Sequence, residues 1–325
     1  MDDRYKYRTM NLQLLVQQFE NRGYNVAVSQ FGEIDLERDF KNTAVLYHSS
    51  EKQGGFYKSY IEDIVYYLEK KGSLVLPKFE YLKAHHNKVY MELIRKRFEN
   101  LELKTIKTYC YGSSDEALNR LPEFPIVLKI SAGAGSNGVK LAKNEEEYRK
   151  AVKELSRIYI SDNIIGIGKD YFKAFRNLAF NANKKTLEQK FIVQTFVPNL
   201  LGDYKVLYFG GKYYTLYRKN RDNDFRASGG GKLFLVPDEE NIPLLNFAKK
   251  IVAEIDFPII GIDIGHDGHQ YHLLEFQMIH LGPYTLQFSD YYYIESNGLW
   301  NKVEGKSVLE EEFVRSIAEY IEDFN

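Results

Sequence analysis

Leu128-Lys129-Ile130-Ser131-Ala132-Gly133-Ala134-Gly135-Ser136-Asn137-Gly138-Val139 reads as an apolar strand ending in a lysine, a run of small residues, and a second apolar strand. Three of the six residues from Gly133 to Gly138 are glycine, so something large can approach this backbone closely. Glycines allow positive φ and a ring of N–H groups that suits phosphate oxygens, while Lys129 supplies a point charge. The cradle candidates are therefore Lys129, Gly133, Gly135, Ser136 and Gly138. It is not a Walker A loop, because the lysine precedes the glycines, and it is not a Rossmann turn, because a strand follows. Taken alone, the same pattern also describes a flexible hairpin.

A second stretch begins about 130 residues later: Gly261-Ile262-Asp263-Ile264, then His266-Asp267-Gly268-His269, then Leu273-Leu274-Glu275-Phe276-Gln277. Two strands flank a turn. With an odd loop, Asp267 to His269, Asp263 falls opposite Leu273 and shares a face with Glu275 and Gln277; a two-residue turn sends Asp263 and Glu275 to opposite faces. Converging oxygens without nitrogen or sulfur partners suit Mg²⁺, which bridges nucleotide phosphates. A solvated hairpin face is the plainer alternative. His266, His269 and His272 straddle the turn on different faces, and no metal role is expected of them.

Working outward, the chain reads as lobes. At 325 residues it is long enough for two or three sharing a cleft. Leu12, Leu15, Val16 and Phe19 mark a helix closed by Gly23, and Tyr24 to Val28 reads as a strand. Ala44 to Tyr47 is another short apolar run; Tyr57 to Leu68 shows one helical face, and a strand follows from Leu74 to Leu76. Strands alternating with amphipathic helices predict a small parallel sheet in an α/β lobe over residues 1–80, with Tyr5 to Tyr7 the only segment available as an initial strand. A second lobe, 81–190, holds a basic helix from Lys88, the strand Ile126 to Ile130, the glycine run, a helix from Glu145, and a polar stretch, Ile160 to Lys190, that has the look of an insertion. The third, 191–325, is antiparallel in character, with a hairpin turning at Gly210-Gly211 and a last helix introduced by a Ser307/Glu310 capping box. The fold class is thus α/β together with α+β.

Charge excludes some functions. Lys and Arg number 44 against 45 Asp and Glu, so no global field draws the molecule to nucleic acid or an acidic membrane. The basic residues near Lys88 to Lys107 read mostly as the solvated side of a helix. A single cysteine, Cys110, makes no internal disulfide and no thiolate cluster for zinc. Met1-Asp2-Asp3-Arg4 lacks a signal-peptide core, and no apolar run approaches the roughly 18 residues of a membrane span. A cytoplasmic protein without membrane or nucleic-acid partners is expected, and a homo-oligomer is left open.

The glycine loop and the acidic hairpin, in this order and spacing, resemble the ATP-grasp superfamily, which includes D-alanine:D-alanine ligase and the ribosomal-protein glutamate ligases. The resemblance covers most of the chain, apart from Ile160 to Lys190. It implies an N-terminal pre-ATP-grasp lobe and two lobes clasping ATP. In the family a lysine opening the helix after the first lobe reaches ATP phosphate, which His86-Asn87-Lys88 matches, and the lysine before the glycine loop corresponds to Lys129. The family hinge matches Val193-Gln194-Thr195-Phe196-Val197, making Gln194 and Val197 adenine contacts, and Asp203 falls where an acidic residue holds the ribose. Arg218 and Arg226 resemble the basic residues that meet the transferred phosphoryl group in the glutamate-ligase branch. Asp263 and Glu275 match the metal carboxylates. Two positions depart from the pattern: Gln277 stands where Asn is usual, and Lys205 where that branch shows Arg, which removes bidentate carboxylate recognition.

The resemblance implies an ATP- and Mg²⁺-dependent carboxylate-amine ligase working through an acyl phosphate on small-molecule substrates whose identity the residues do not disclose. Two alternatives are a kinase on the same architecture and a nucleotide-binding module without catalysis.

Overall fold

The computed structural model describes residues 10–50, 56–133, 138–157, 188–220 and 232–324. In chain order the elements are α1 (Leu12–Asn21), β1 (Ala44–Leu46), α2 (Phe56–Lys70), β2 (Leu74–Leu76), α3 (Phe79–Ala84), α4 (Lys88–Arg97), β3 (Thr108–Tyr111), α5 (Ser114–Leu118), β4 (Ile126–Ile130), β5 (Val139–Ala142) and α6 (Glu145–Ser156). There follow β6 (Phe191–Thr195), β7 (Gly202–Phe209), β8 (Lys212–Lys219), β9 (Leu233–Phe234), α7 (Asp238–Ala253), β10 (Ile259–His266), β11 (Tyr271–Gln277), α8 (Tyr284–Phe288), β12 (Tyr291–Ser296), β13 (Leu299–Glu304) and α9 (Leu309–Phe324). They form two compact units: unit 1 comprises Met1–His85, Leu93–Thr105 and Val197–Asn325, and unit 2 comprises His86–Glu92 and Ile106–Phe196.

Unit 1 begins with α1, whose N-terminal amides at Gln13 and Leu14 donate to the Asn11 side chain at 3.0 and 3.3 Å. At its other end Gly23 takes φ 89°, and the Tyr24 amide donates to the Phe19 carbonyl at 3.2 Å. This six-residue closure is why the expected strand over Tyr24 to Val28 does not form: its first amide ends the helix, and Ala27 and Val28 lie exposed instead of against a partner. The expected parallel sheet is present as β1 against β2, Ala44 facing Leu74. Ile61, Val65, Leu68, Val75 and Leu82 pack there into one core with Phe40 and Ile279. The Tyr5 to Tyr7 segment lies outside the described residues.

The larger sheet of unit 1 runs β11-β10-β7-β8-β12-β13, with β9 added beside β8. Gly210 and Gly211, at φ 46° and 88°, make the two-residue turn between β7 and β8 that the sequence predicts. One face of this sheet meets α7, where Tyr204 Oη donates to Glu240 at 2.9 Å and Thr215 Oγ1 to Asn241 Oδ1 at 2.7 Å. The last helix begins at Leu309. Ser307 Oγ shares a 2.7 Å hydrogen bond with Tyr214 Oη, and Glu310 accepts the Asn11 amide at 2.7 Å, so both box residues serve tertiary contacts.

Unit 2 holds a four-stranded antiparallel sheet ordered β3-β6-β4-β5. Strand alternation sends Ile126 and Leu128 into a core with Tyr148, Val152, Phe191 and Val193. Val127 and Lys129 therefore occupy the opposite face. Most of Ile160 to Lys190 lies outside the described residues.

Candidate functional site

In unit 2, β4 delivers Lys129 to the sheet face away from the core. Lys129 pairs with Ile192 of β6, and Val127 with Gln194, so Lys129 and Gln194 share that face two positions apart on adjacent strands. Gln194, 2% exposed, donates through Nε2 to Glu92 at 3.1 Å and to Thr108 Oγ1 at 3.0 Å. Glu92 is a buried member of this site that the sequence reading missed. Its only signal is its placement beside Met91 on the buried side of α4, where a glutamate otherwise reads as solvated.

The end of β4 is tied to the start of α4. Ser131 Oγ donates to Asn87 Oδ1 at 3.0 Å, and the Lys88 amide donates to the Ser131 carbonyl at 2.9 Å. Lys88 Nζ donates to the Gly133 carbonyl at 2.8 Å. At the far end of the glycine run Gly138 has φ 69°, and a Cβ there would collide with the Ile130 side chain. Glycine is thus required twice over at this position. Gly135 and Ser136 lie outside the described residues.

In unit 1 the outcome turns on the register of β10 on β11. His266 pairs with Tyr271, leaving a four-residue loop in which the Asp267 carboxylate accepts the His269 and Gln270 amides, both at 2.8 Å. An even loop alone would place Asp263 opposite Leu274. A bulge between Asp263 and Ile264 shifts the pairing by one, so Glu275, not the expected Leu273, faces Asp263, and Gln277 faces Gly261. The extra residue, Leu274, offers its carbonyl to the buried Arg95 at 3.0 Å. Asp263, Glu275 and Gln277 do share one face, as the sequence predicts, but through a bulge and not through an odd loop.

Neighbouring strands add charge to that face. Asp263 pairs across β10 and β7 with Lys205, and Gly265 with Asp203; Asp203 in turn pairs with Arg218 on β8. Lys205, 2% exposed, donates to Asp263 Oδ1 at 2.8 Å, and Arg218 Nη2 stands 2.8 Å from Asp263 Oδ2. Arg218 also grips both oxygens of Asp203, each at 2.6 Å, and donates to Tyr284 Oη at 3.1 Å. A Cβ at Gly261 would come within 3.2 Å of the Leu281 carbonyl and 3.3 Å of Lys205 Nζ, so this position admits no side chain without displacement.

Electrostatics follow from this geometry. Burial pushes the Asp263 carboxyl up, but the Arg218 and Lys205 charges outweigh it and hold the group well below the usual carboxylate range. Asp203 moves the other way: burial raises it, Arg218 opposes, and the Asp263 charge adds to the rise. Burial alone would lower Arg218, yet the two carboxylates keep it firmly protonated. Asp203, assigned to ribose by resemblance, is 4% exposed with both oxygens on Arg218, and in this arrangement it orients the guanidinium.

The remaining assignments are quickly placed. Val197 is half-buried just beyond β6, at the first residue of the last stretch of unit 1. Arg226 lies outside the described residues. His272 bridges Asp267 and Thr105, each at 2.9 Å. Among the described residues no helix is long and apolar enough to cross a membrane.

No family model matches the sequence, and no curated protein matches it. Solved structures do resemble the chain. A D-cycloserine synthetase, DcsG, aligns over 95% of this chain and 94% of its own, at 13% identity and a TM-score of 0.53. The ADP complex of purK, an N5-carboxyaminoimidazole ribonucleotide synthetase, aligns over 94% of this chain and 74% of its own, at 12% identity and a TM-score of 0.56. At such identity the likeness is one of fold.

Proposed function

We propose that this chain, which has the ATP-grasp fold, is an ATP-dependent ligase that activates a carboxylate as an acyl phosphate and transfers the acyl group to an amine. The reading is carried by the β10–β11 register, which gives one sheet face the oxygen set Asp263, Glu275 and Gln277, with Lys205 and Arg218 bonded to Asp263.

The donors fit Mg²⁺: all are oxygens, and the depressed Asp263 stays anionic at any physiological pH. Asp263, Glu275 and Gln277 would hold the ion, which when bound neutralises charge on phosphate oxygens. Lys88 and Lys129 are assigned to the triphosphate, with Lys88 exchanging the neutral Gly133 carbonyl for an anionic oxygen. The loop from Gly133 to Gly138, with Gly135 and Ser136 inside it, supplies backbone N–H groups. Gln194 and Val197 are assigned to the adenine edge. The substrate carboxylate oxygen attacks the γ-phosphorus and ADP departs; the amine nitrogen then attacks the acyl carbon, loses a proton, and phosphate departs. Arg218, oriented by Asp203, stabilises charge developing on the moving phosphoryl group, and Arg226 shares that role. No covalent enzyme intermediate is needed.

The test is a screen of amino acids and small carboxylates for Mg²⁺-dependent ADP release, followed by mass measurement of the product. Equal release of ADP and phosphate, with a product one water lighter than its two precursors, is expected. A stable phosphoester would make the chain a kinase instead. ATP binding with no ADP formation across the screen would make it a nucleotide-binding module.

A further inference from the structure

Unit 1 buries a lysine that the proposed reaction does not use. Lys58 stands in the first turn of α2 and is 8% exposed, and Glu62, one turn on, is 9% exposed. Glu62 Oε1 accepts from the Lys58 ammonium, and its other oxygen accepts from Lys83 Nζ, near the end of α3, at 2.7 Å. One buried carboxylate thus divides itself between two ammonium groups, one of them at the positive end of a 15-residue helix. Among the described residues Glu62 is the one hydrogen-bond partner of Lys58, so an ammonium with three donors has one acceptor. Lys58 and Glu62 alone make an ordinary i, i+4 pair; a second ammonium on the same carboxylate calls for a further reason.

Topology says what can meet these lysines. β1 and β2 are parallel, so the intervening α2 runs back across them and its first turns lie at their carboxyl ends. Ligands of open α/β layers bind outside that edge. The tail of β11 arrives at the same place: Ile279, two residues past Gln277, shares a core with Ile61 and Leu82, the sequence neighbours of Glu62 and Lys83. The His280 ring lies 5.5 Å from that of His48, two residues past β1. Roughly 7 Å of extended chain therefore separate Gln277 from the layer that carries the two lysines.

We propose that Lys58 and Lys83 bind an anionic group, carboxylate or phosphate, of a small molecule, with Glu62 holding both ammonium groups in place. Lys83, whose side chain is 40% exposed, gives the anion its way in, and buried Lys58 gives it a partner that salt screens little. Lysine offers a point charge and no rigid fork, so either anion fits the pair. The link to catalysis rests on the proposed ligase function: there the anion is a second acidic group of a substrate, and the substrate class narrows to dicarboxylates and phosphorylated acids.

The full chain is titrated at low ionic strength with succinate, with inorganic phosphate and with neutral succinamide, and binding is read by calorimetry. Saturable binding of succinate or of phosphate, and none of succinamide, is expected; which anion binds tells a dicarboxylate from a phosphorylated acid. Lys58→Gln and Lys83→Gln, each checked for native circular dichroism, should weaken the anion about tenfold or more, the worth of a charge-assisted hydrogen bond. Lys129→Ala should leave that binding unchanged. No saturable binding, undiminished binding in Lys83→Gln, or loss in Lys129→Ala instead would each overturn the proposal. Lys83→Gln decides the matter even where Lys58→Gln fails to fold, because the Lys83 side chain is partly exposed. With an acidic substrate from the ADP-release screen, Lys83→Gln should raise KM about tenfold with little change in kcat. Anion binding without any ADP release would leave the site standing and remove the ligase reading, so the two failures are told apart.

Discussion

The hairpins β4–β5 in unit 2 and β10–β11 in unit 1 are both antiparallel and both glycine-marked, yet charge is held differently around each of them. In unit 2 the ammonium of Lys88 rests on a neutral backbone carbonyl, that of Gly133. In unit 1 Asp263 is clamped between Lys205 and Arg218, and Arg218 is clamped again by Asp203. A cation on a neutral acceptor can exchange it for an anionic ligand at little cost to the fold. Buried charges that satisfy one another are chemical groups and structural groups at once, so removing one leaves the others buried without compensation.

The largest effect should therefore come from unit 1. Asp263→Ala is expected to abolish Mg²⁺-dependent ADP formation and also to lower stability by about 3–5 kcal/mol, the cost of breaking a buried pair from one side. Urea unfolding of the variant checks this, and an unchanged midpoint would erase the contrast between the hairpins. Lys129→Ala in unit 2 should lower turnover by a factor on the order of 10²–10³, comparable to the loss of one preorganised donor. Its stability should shift by less than about 1 kcal/mol, because Lys129 is only half-buried. Unchanged ATP consumption in that variant would defeat the assignment of Lys129.

A smaller effect lies in acid. The Asp263 carboxyl is depressed in the folded state, so its contribution is fully present above the unfolded value near 3.9 and is lost as pH falls below it toward the folded value. Asp203 is raised, so its ionisation opposes folding as pH rises from the unfolded value near 3.9 through its higher folded value, a window above that of Asp263. Asp203→Asn is therefore expected to remove a decline in stability that the unaltered protein shows as pH rises above about 4. An unaltered pH dependence of the urea midpoint in that window would show that the shift of Asp203 is misassigned.

Much of this was legible in the sequence, and what was not has definite physical causes. The β7–β8 hairpin was readable because Gly210-Gly211 supplies both positive φ angles of a two-residue turn. The common face of Asp263, Glu275 and Gln277 was readable, but its origin was not, because loop parity and strand parity both count and nothing in Leu273-Leu274-Glu275 marks two residues facing one. Tyr24 to Val28 carries strand-forming side chains, yet its first amide closes α1. Glu92 was hidden because helical spacing says which side is buried, not that a buried glutamine waits there to donate to it. The makeup of unit 1 from three separated stretches is likewise invisible to a reading that moves from one end to the other.

The smallest expected effect sharpens the comparison most finely. Gln277 pairs with Gly261, one same-face pair along from Asp263 and Glu275, so its side chain starts next to theirs. Gln277→Asn removes one methylene without changing the donor atom. If Gln277 ligates Mg²⁺, the shorter amide should change the half-saturating Mg²⁺ concentration for ADP formation while leaving the urea midpoint where it was. The change should stay below about tenfold, about 1.4 kcal/mol, because Asp263 and Glu275 supply the anionic ligands. Loss of stability without any change in Mg²⁺ dependence would assign Gln277 to packing and reduce the oxygen set to the two carboxylates.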